Sequence, residues 1–282
     1  MRINPRYYAP LLITLVLLVG QLGYGILESY AKTLLAIASA IAAEVALSRL
    51  LRGRWPGLAS AYITGISVGI LVRSSLAWPY ALDSVVSILS KYVLRLRDRH
   101  LWNPSNFGIV AMLLFNPNGV AVLSFQWGNS IWPMALIWTF GIAILGKLGR
   151  LHISFTYVLA FLALAALRAR LTGIPLAAAV GPITGPMYQL FIFFMITDPK
   201  TTVRTRRGQC LVAFLVAVAE MLLRLNQAIY APFYALFMVG PAALGVEMLL
   251  DKRAAGMKIR EKAIKFPDLR KAAGPVPESG SD

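Results

Sequence analysis

Apolar blocks of about 17–25 residues, the length that crosses bilayer hydrocarbon, recur along this chain from Pro10 to Leu250 with short polar breaks between them. In hydrocarbon every backbone N–H and C=O must find its partner inside the protein, so blocks of this kind fold as helices. Of the 282 residues, 58% are hydrophobic and 14% charged, where a soluble domain carries roughly a quarter charged. The chain therefore reads as an all-α integral membrane protein embedded in a lipid bilayer.

The breaks place ten helices, at about residues 10–27, 33–48, 57–72, 78–94, 103–124, 131–146, 151–167, 174–196, 208–223 and 229–250. Arg2 and Arg6 precede the first apolar run in the manner of a signal peptide, but no A-x-A pattern follows, so a retained first helix is expected. Trp78-Pro79 opens the fourth helix and Asn103-Pro104 the fifth, with proline at a first helical turn. Asn116-Pro117-Asn118-Gly119 interrupts the fifth and can divide it into two short pieces. The charged segment 251–282, with Gly274-Pro275 and Pro277, reads as a mostly disordered basic tail.

Loop charge tests the count. With ten helices, 23 of the 28 Lys and Arg fall on one side, including Arg49, Arg52 and Arg54, the cluster Lys91 to Arg99, and Lys200 to Arg207. Lys32, Arg73, Arg168, Arg170 and Arg224 fall on the other. The positive-inside rule then puts both termini in the cytoplasm of a multi-pass protein of the plasma (inner) membrane. The same rule accounts for the net charge of +16 without nucleic acid as a partner. A single cysteine, Cys210, leaves no internal disulfide.

The triplet Ile63-Thr64-Gly65 in the third helix recurs as Ile183-Thr184-Gly185 in the eighth, and Pro104 and Pro232 open the fifth and tenth. Five helices per repeat is odd, so the second repeat is inverted. The expected domains are 1–128, an inverted 129–250, and the tail. Inverted repeats with broken helices place a ligand site near the bilayer midplane. The break Gly181-Pro182 to Gly185-Pro186 is followed by the apolar run to Ile196 and the polar exit Thr197-Asp198-Pro199-Lys200.

Thr64, Gly65, Thr184 and Gly185 suit close helix packing and, equally, the lining of a ligand pocket. Asn103 and Pro104 cap a helix. Ser105 and Asn106 can satisfy its free amides, while Asn106 with the Phe107 ring also suits a planar heterocycle or an anion at a helix N-terminus. Thr197, Asp198 and Lys200 form a structural turn or hold a phosphate or a partner subunit. Among intramembrane carboxylates, Asp83 and Glu220 are ion- or proton-relay candidates, although Arg224 offers Glu220 an i,i+4 partner. Glu44 lies near the cytoplasmic end, within reach of water. His100, in a basic loop, and His152 read as surface or interface residues. No residue set for nucleophilic catalysis or metal binding is apparent.

Three segments resemble the NqrB/RnfD family, membrane subunits of sodium-pumping and Rnf-type redox complexes. Phe193-Phe194-Met195-Ile196-Thr197-Asp198-Pro199 is similar to the family's F-M-x-T-D-P segment. Lys91 followed by Asn103-Pro104-Ser105-Asn106-Phe107-Gly108 is similar to its lysine and F-N-P-A-like helix start. Tyr234 to Pro241 is a third, weaker match. The resemblance implies a ten-helix inverted repeat like that of urea transporters, and flavin-linked transmembrane electron transport with other redox subunits or a flavoprotein as partners. The larger members attach FMN to a threonine in an S-G-A-T-type motif. Here no such motif occurs, and helices five and six are joined only by Phe125 to Ser130. Covalent FMN is not expected, and a non-covalent flavin, riboflavin or FMN, takes its place. Two other readings stay open: a channel or carrier for a small polar solute, and an assembly partner with no ligand of its own.

Overall fold

Glycines and short polar side chains set the helix ends. In the computed structural model, which describes residues 7–96, 99–123 and 131–265, α1 (Tyr8–Tyr24) stops at Gly25, whose φ of 59° is left-handed. The next helix, α2 (Tyr30–Arg52), starts under the Ser29 hydroxyl, which accepts from Lys32 N, and stops at a second left-handed glycine, Gly53. Then come α3 (Ala59–Leu71), α4 (Trp78–Val93) and α5 (Pro104–Phe115). The second half holds α6 (Trp132–Lys147), α7 (Leu151–Thr172), the short α8 (Leu176–Val180) and α9 (Pro186–Leu190), then α10 (Arg206–Leu225) and α11 (Ala231–Lys265).

The protein is an all-α, multi-pass membrane protein. Four helices, α2, α7, α10 and the 231–254 part of α11, are long and apolar enough to cross a bilayer, and the bent pair 176–184 and 186–195 makes a fifth candidate. These helices bury little of their own surface: only 22% of the crossing window of α2 is buried, and Leu34, Leu50 and Leu51 on it are exposed. An apolar exterior of this kind suits lipid, not water.

With 13 and 12 residues, α3 and α5 are about 20 Å long or less, short of the ~30 Å hydrocarbon core. The chain continues each of them in extended form. Val72–Arg73 (β1) and Ala121–Val122 (β4) pair antiparallel, and Leu123 N donates to Leu71 O at 2.7 Å. Leu71, Val72 and Val122 are buried, so the two non-helical stretches satisfy each other's backbone groups inside the protein. The second piece expected after Asn116-Pro117-Asn118-Gly119 is thus an extended strand through Val122, and Ser124 lies outside the described residues. A second strand pair, Arg95–Leu96 (β2) with Arg99–His100 (β3), closes the loop before α5.

The eighth segment is broken as its glycines and prolines suggest. A 3₁₀ turn (Gly181–Thr184) follows α8, Gly185 is extended, and the axis bends by 58° before α9. A π-type turn over Phe191–Met195 follows. Neighbours take up the freed carbonyls: Ser154 Oγ donates to Ile192 O at 3.1 Å, and Arg168 Nη2 to Ala179 O at 3.0 Å.

The basic tail departs from expectation. Instead of ending at Leu250, α11 continues to Lys265. Residues 251–265 are mostly Ala, Lys, Arg, Glu, Met and Ile, ordinary helix formers with one glycine, and the Gly274-Pro275 breaker comes later. Glu247 anchors this helix by pairing with Arg99 at 2.7 Å and accepting from Arg204 N at 2.6 Å.

Within the first half α2 packs on α3 and α4, and α4 on α5; within the second α7 packs on α8 and α10, and α10 on α11; α1 meets α6. Gly65 and Gly69, one turn apart on α3, face α2. A Cβ on Gly65 would lie 2.5 Å from Ile37 Cα and 3.1 Å from Ala36 O. These are backbone atoms that cannot move aside alone. Gly65→Ala should therefore destabilise the protein by about 1–3 kcal/mol, read as a lowered unfolding midpoint in detergent. An unchanged midpoint would mean the α2–α3 approach is looser than the structure has it.

Candidate functional site

Asn103 is both a cap and a bridge. Its side-chain oxygen accepts from Asn106 N at 3.1 Å, starting α5 with Pro104 in the first turn. Its amide nitrogen donates to Asp198 Oδ2 at 3.1 Å and approaches Phe194 O at 3.5 Å. Residues 95 apart in sequence are thereby joined, and the start of α5 is tied to the end of the broken segment.

Around this bridge lies a cavity of about 300 Å³, at the lower end of the range for small-molecule pockets. One wall is α3, where Ser60, Thr64 and Ser67 repeat at four and three residues and present one hydroxyl-bearing face. Opposite stand Phe193, Phe194 and Met195, with Thr197 and Asp198 at the polar end. Pro104 and Ser105 bring the N-terminus of α5 to the lining, and Arg150 stands nearby. The positive end of a helix favours electron-rich or anionic groups. The lining thus offers apolar aromatic faces and one polar edge that donates and accepts.

Asp198 organises the polar end. Lys200 N donates to Oδ1 at 3.0 Å, and the Thr202 hydroxyl donates to the Asp198 carbonyl at 2.7 Å. Loss of water raises the Asp198 carboxyl above its ordinary range, while the Lys200 N–H, the Asn103 amide and the charges of Lys200 and Arg150 pull the other way. Arg150 Nη1 donates to the Thr202 hydroxyl at 2.7 Å, so the turn expected at Thr197–Thr202 is tightly built.

The structure brings Thr64, Asn103, Ser105, Thr197 and Asp198 to this cavity and places the other candidates elsewhere. The Thr64 hydroxyl donates to Ser60 O at 3.0 Å, and that of Thr197 to Phe193 O at 2.7 Å. Gly65 packs on α2. Thr184 lies off the cavity, its hydroxyl bonded to Gly181 O at 2.7 Å, and Gly185 is the hinge before α9. The two Thr-Gly pairs therefore do not line one pocket: Thr64 is on the cavity wall, and the Thr184 hydroxyl is bonded back within its own 3₁₀ turn. Asn106 is buried and donates to Phe233 O at 3.2 Å. Phe107 packs at a tilt of 56° on Trp102, ring centroids 5.4 Å apart, and stacks on Phe237 at 5.9 Å. Lys200 points to a neighbouring cavity.

The relay candidates sit apart. Asp83 is fully buried on α4; Oδ1 accepts from Ser87 Oγ at 3.1 Å, and Oδ2 has no partner among the described residues. Glu220 is buried on α10. It accepts from Tyr157 and Tyr188 and pairs with Arg224 at 2.9 Å, whose guanidinium also donates to the Tyr188 hydroxyl. No hydrogen-bonded path among the described residues links the two carboxylates. Sequence reasoning found Arg224 and missed both tyrosines.

Two placements correct the sequence reading. Glu44 does not reach water: it is buried in an ion pair with Lys91 and accepts from the Tyr92 hydroxyl at 2.9 Å. His100 is buried rather than superficial, and its Nδ1 has no partner among the described residues. Loss of water, then the charges of Lys200, Lys91 and Arg95, lower its pKa from 6.5 to about 4. No family model matches the chain, and no curated protein matches it.

Proposed function

We propose that this chain is a membrane subunit of the NqrB/RnfD type that holds a flavin, riboflavin or FMN, non-covalently in the cavity at Asn103 and Asp198 for electron transfer to other redox subunits or a flavoprotein. One observation carries the reading: the segments that resemble the family meet at one place. Asn103 bonds to Asp198 and Phe194 of the Thr-Asp-Pro segment, and Trp102 Nε1 donates to Phe237 O, in the third segment, at 2.8 Å. A flat heterocycle needs apolar faces and a hydrogen-bonding edge. Phe193 and Phe194 supply the first, and Thr64, Asn103, Ser105 and Asp198 the second.

The ten-span, five-plus-five inverted arrangement belongs to the same proposal. It is supported by the matched packing of α2, α3, α4 and α5 against that of α7, α8–α9, α10 and α11, and by the meeting of α1 with α6. The extended continuations of α3 and α5 lengthen those two units. The boundary between halves falls near 128, among residues outside those described. Loop charge puts both termini in the cytoplasm of the plasma (inner) membrane.

Protein purified in detergent should carry the visible absorption of oxidised flavin, bleached by dithionite. Asn103→Ala should lower flavin occupancy roughly tenfold, by removing one bridging amide and misplacing Asp198. A colourless preparation that takes up neither riboflavin nor FMN would overturn the reading. The second reading, a carrier for a small polar solute, draws on the hydroxyl face of Ser60, Thr64 and Ser67. It predicts solute uptake by liposomes that falls in Thr64→Val.

A further inference from the structure

A second cavity of about 300 Å³ adjoins the first across Ser60, which lines both. Its walls come from the end of α2, the loop to α3, the end of α4, strands β2 and β3, and Lys200. Among the described residues five cationic side chains line it, Arg52, Arg54, Lys91, Arg95 and Lys200, against one carboxylate, Glu44. Glu44 is spent on Lys91 and Tyr92, and the Arg52 guanidinium lies 4.5 Å from the centre of the Tyr92 ring. Arg54 and Lys200 are exposed, and neither makes a side-chain ion pair with a described residue. His100, nine-tenths buried, also lines the cavity, and its Nδ1 has no partner among the described residues.

Like charges crowded into a concave wall repel, and in a partly dry cavity that repulsion is stronger than in water. Loss of water is the first cause of the depressed His100 pKa, and the charges of Lys200, Lys91 and Arg95 lower it further. The arrangement becomes favourable when an anion with several acceptor oxygens enters. Guanidinium forks and an ammonium together match a tetrahedral phosphate, which carries more charge and more acceptor oxygens, better than a planar carboxylate. Trp55 stands at the mouth, exposed, with the Arg49 guanidinium 4.6 Å from its ring centre. An exposed Trp beside basic residues is characteristic of a headgroup-level position.

We propose that this cavity is a phosphate-binding site, distinct from the one at Asn103 and Asp198, that takes the phosphate of a soluble phosphate ester or of an anionic lipid headgroup. Arg54 and Lys200 are the contacts without an ion-pair partner among the described residues, and Arg52 adds field. The site does not depend on the flavin reading, because its residues lie across Ser60 from that cavity.

The test uses the full chain in a neutral detergent and reads the unfolding midpoint. The probes are inorganic phosphate and pyrophosphate at matched ionic strength against chloride, and short-chain phosphatidylglycerol against phosphatidylcholine of equal chain length. A rise with pyrophosphate or phosphate assigns a soluble phosphate ester, and a rise with phosphatidylglycerol alone assigns the headgroup. In either case the Arg54→Gln/Lys200→Gln double variant should bind roughly tenfold more weakly. Both residues are exposed, so the variant should fold. Arg170→Gln, at an exposed arginine away from the cavity, should respond as the wild type does. No response to any probe, or a double variant that responds like the wild type, overturns the proposal. So does equal loss in Arg170→Gln, which would mark mere charge screening.

Discussion

Glu220→Ala will lower the unfolding stability of the detergent-solubilised protein by about 3–5 kcal/mol, the cost of breaking a buried, hydrogen-bonded ion pair from one side. The carboxylate is buried and receives three donors, the hydroxyls of Tyr157 and Tyr188 and the Arg224 guanidinium. These come from α7, α9 and its own α10, so one side chain clamps the bent segment between two long helices. Alanine leaves two hydroxyls without their acceptor and the Arg224 cation without its carboxylate, in a tightly packed aromatic setting that includes Phe161 and Phe191. Glu220→Gln keeps an acceptor and the shape, so it should lose less. Denaturant or SDS titration in micelles measures both. A loss within about 1 kcal/mol for alanine, the range of an exposed pair, would show that Arg224 escapes to water and that the cluster is no clamp.

Lys91→Ala should cost a similar ~3–5 kcal/mol. The Lys91–Glu44 pair has side chains 6% and 8% exposed and ties α4 to α2, with Tyr92 on the other carboxylate oxygen. Removing the ammonium leaves the buried Glu44 carboxylate without its ion-pair partner, with the Tyr92 hydroxyl still donating to it. The double variant Glu44→Leu/Lys91→Met should recover much of the loss, because an apolar pair of similar volume carries no desolvation penalty. If the double variant is as unstable as Lys91→Ala, the pair matters through packing and not through charge, and the double-mutant cycle will read that directly.

Chain-local features were legible in advance. Asn103-Pro104 starts α5 as capping chemistry requires, because one side-chain oxygen and one ring need no distant partner. Gly181-Pro182 and Gly185-Pro186 marked the broken segment, because missing donors and missing side chains act on the chain where they stand. The long apolar runs of α2, α7 and α10 required spanning helices, because hydrocarbon leaves the backbone no alternative. The i,i+4 spacing of Glu220 and Arg224 was enough to pair them.

What joins distant residues was not legible. The Ile-Thr-Gly echo put Thr64 and Thr184 in one pocket, yet Thr184 is bonded back to Gly181 within its own turn, and it is Asp198, beyond the bent segment, that meets Asn103 at the cavity. Glu44 sits near a helix end, where water would be expected, but the packing of α4 on α2 buries it against Lys91. The tail of α11 stays helical through Lys265, with Arg99 and Arg204 holding it at Glu247 from elsewhere in the chain. Sequence alone determined that this is a helical membrane protein, where its helices begin and which segment breaks. Only the tertiary structure decided which polar side chains share a cavity, because a bend of one segment and the meeting of helices scores of residues apart depend on contacts that no local spacing encodes.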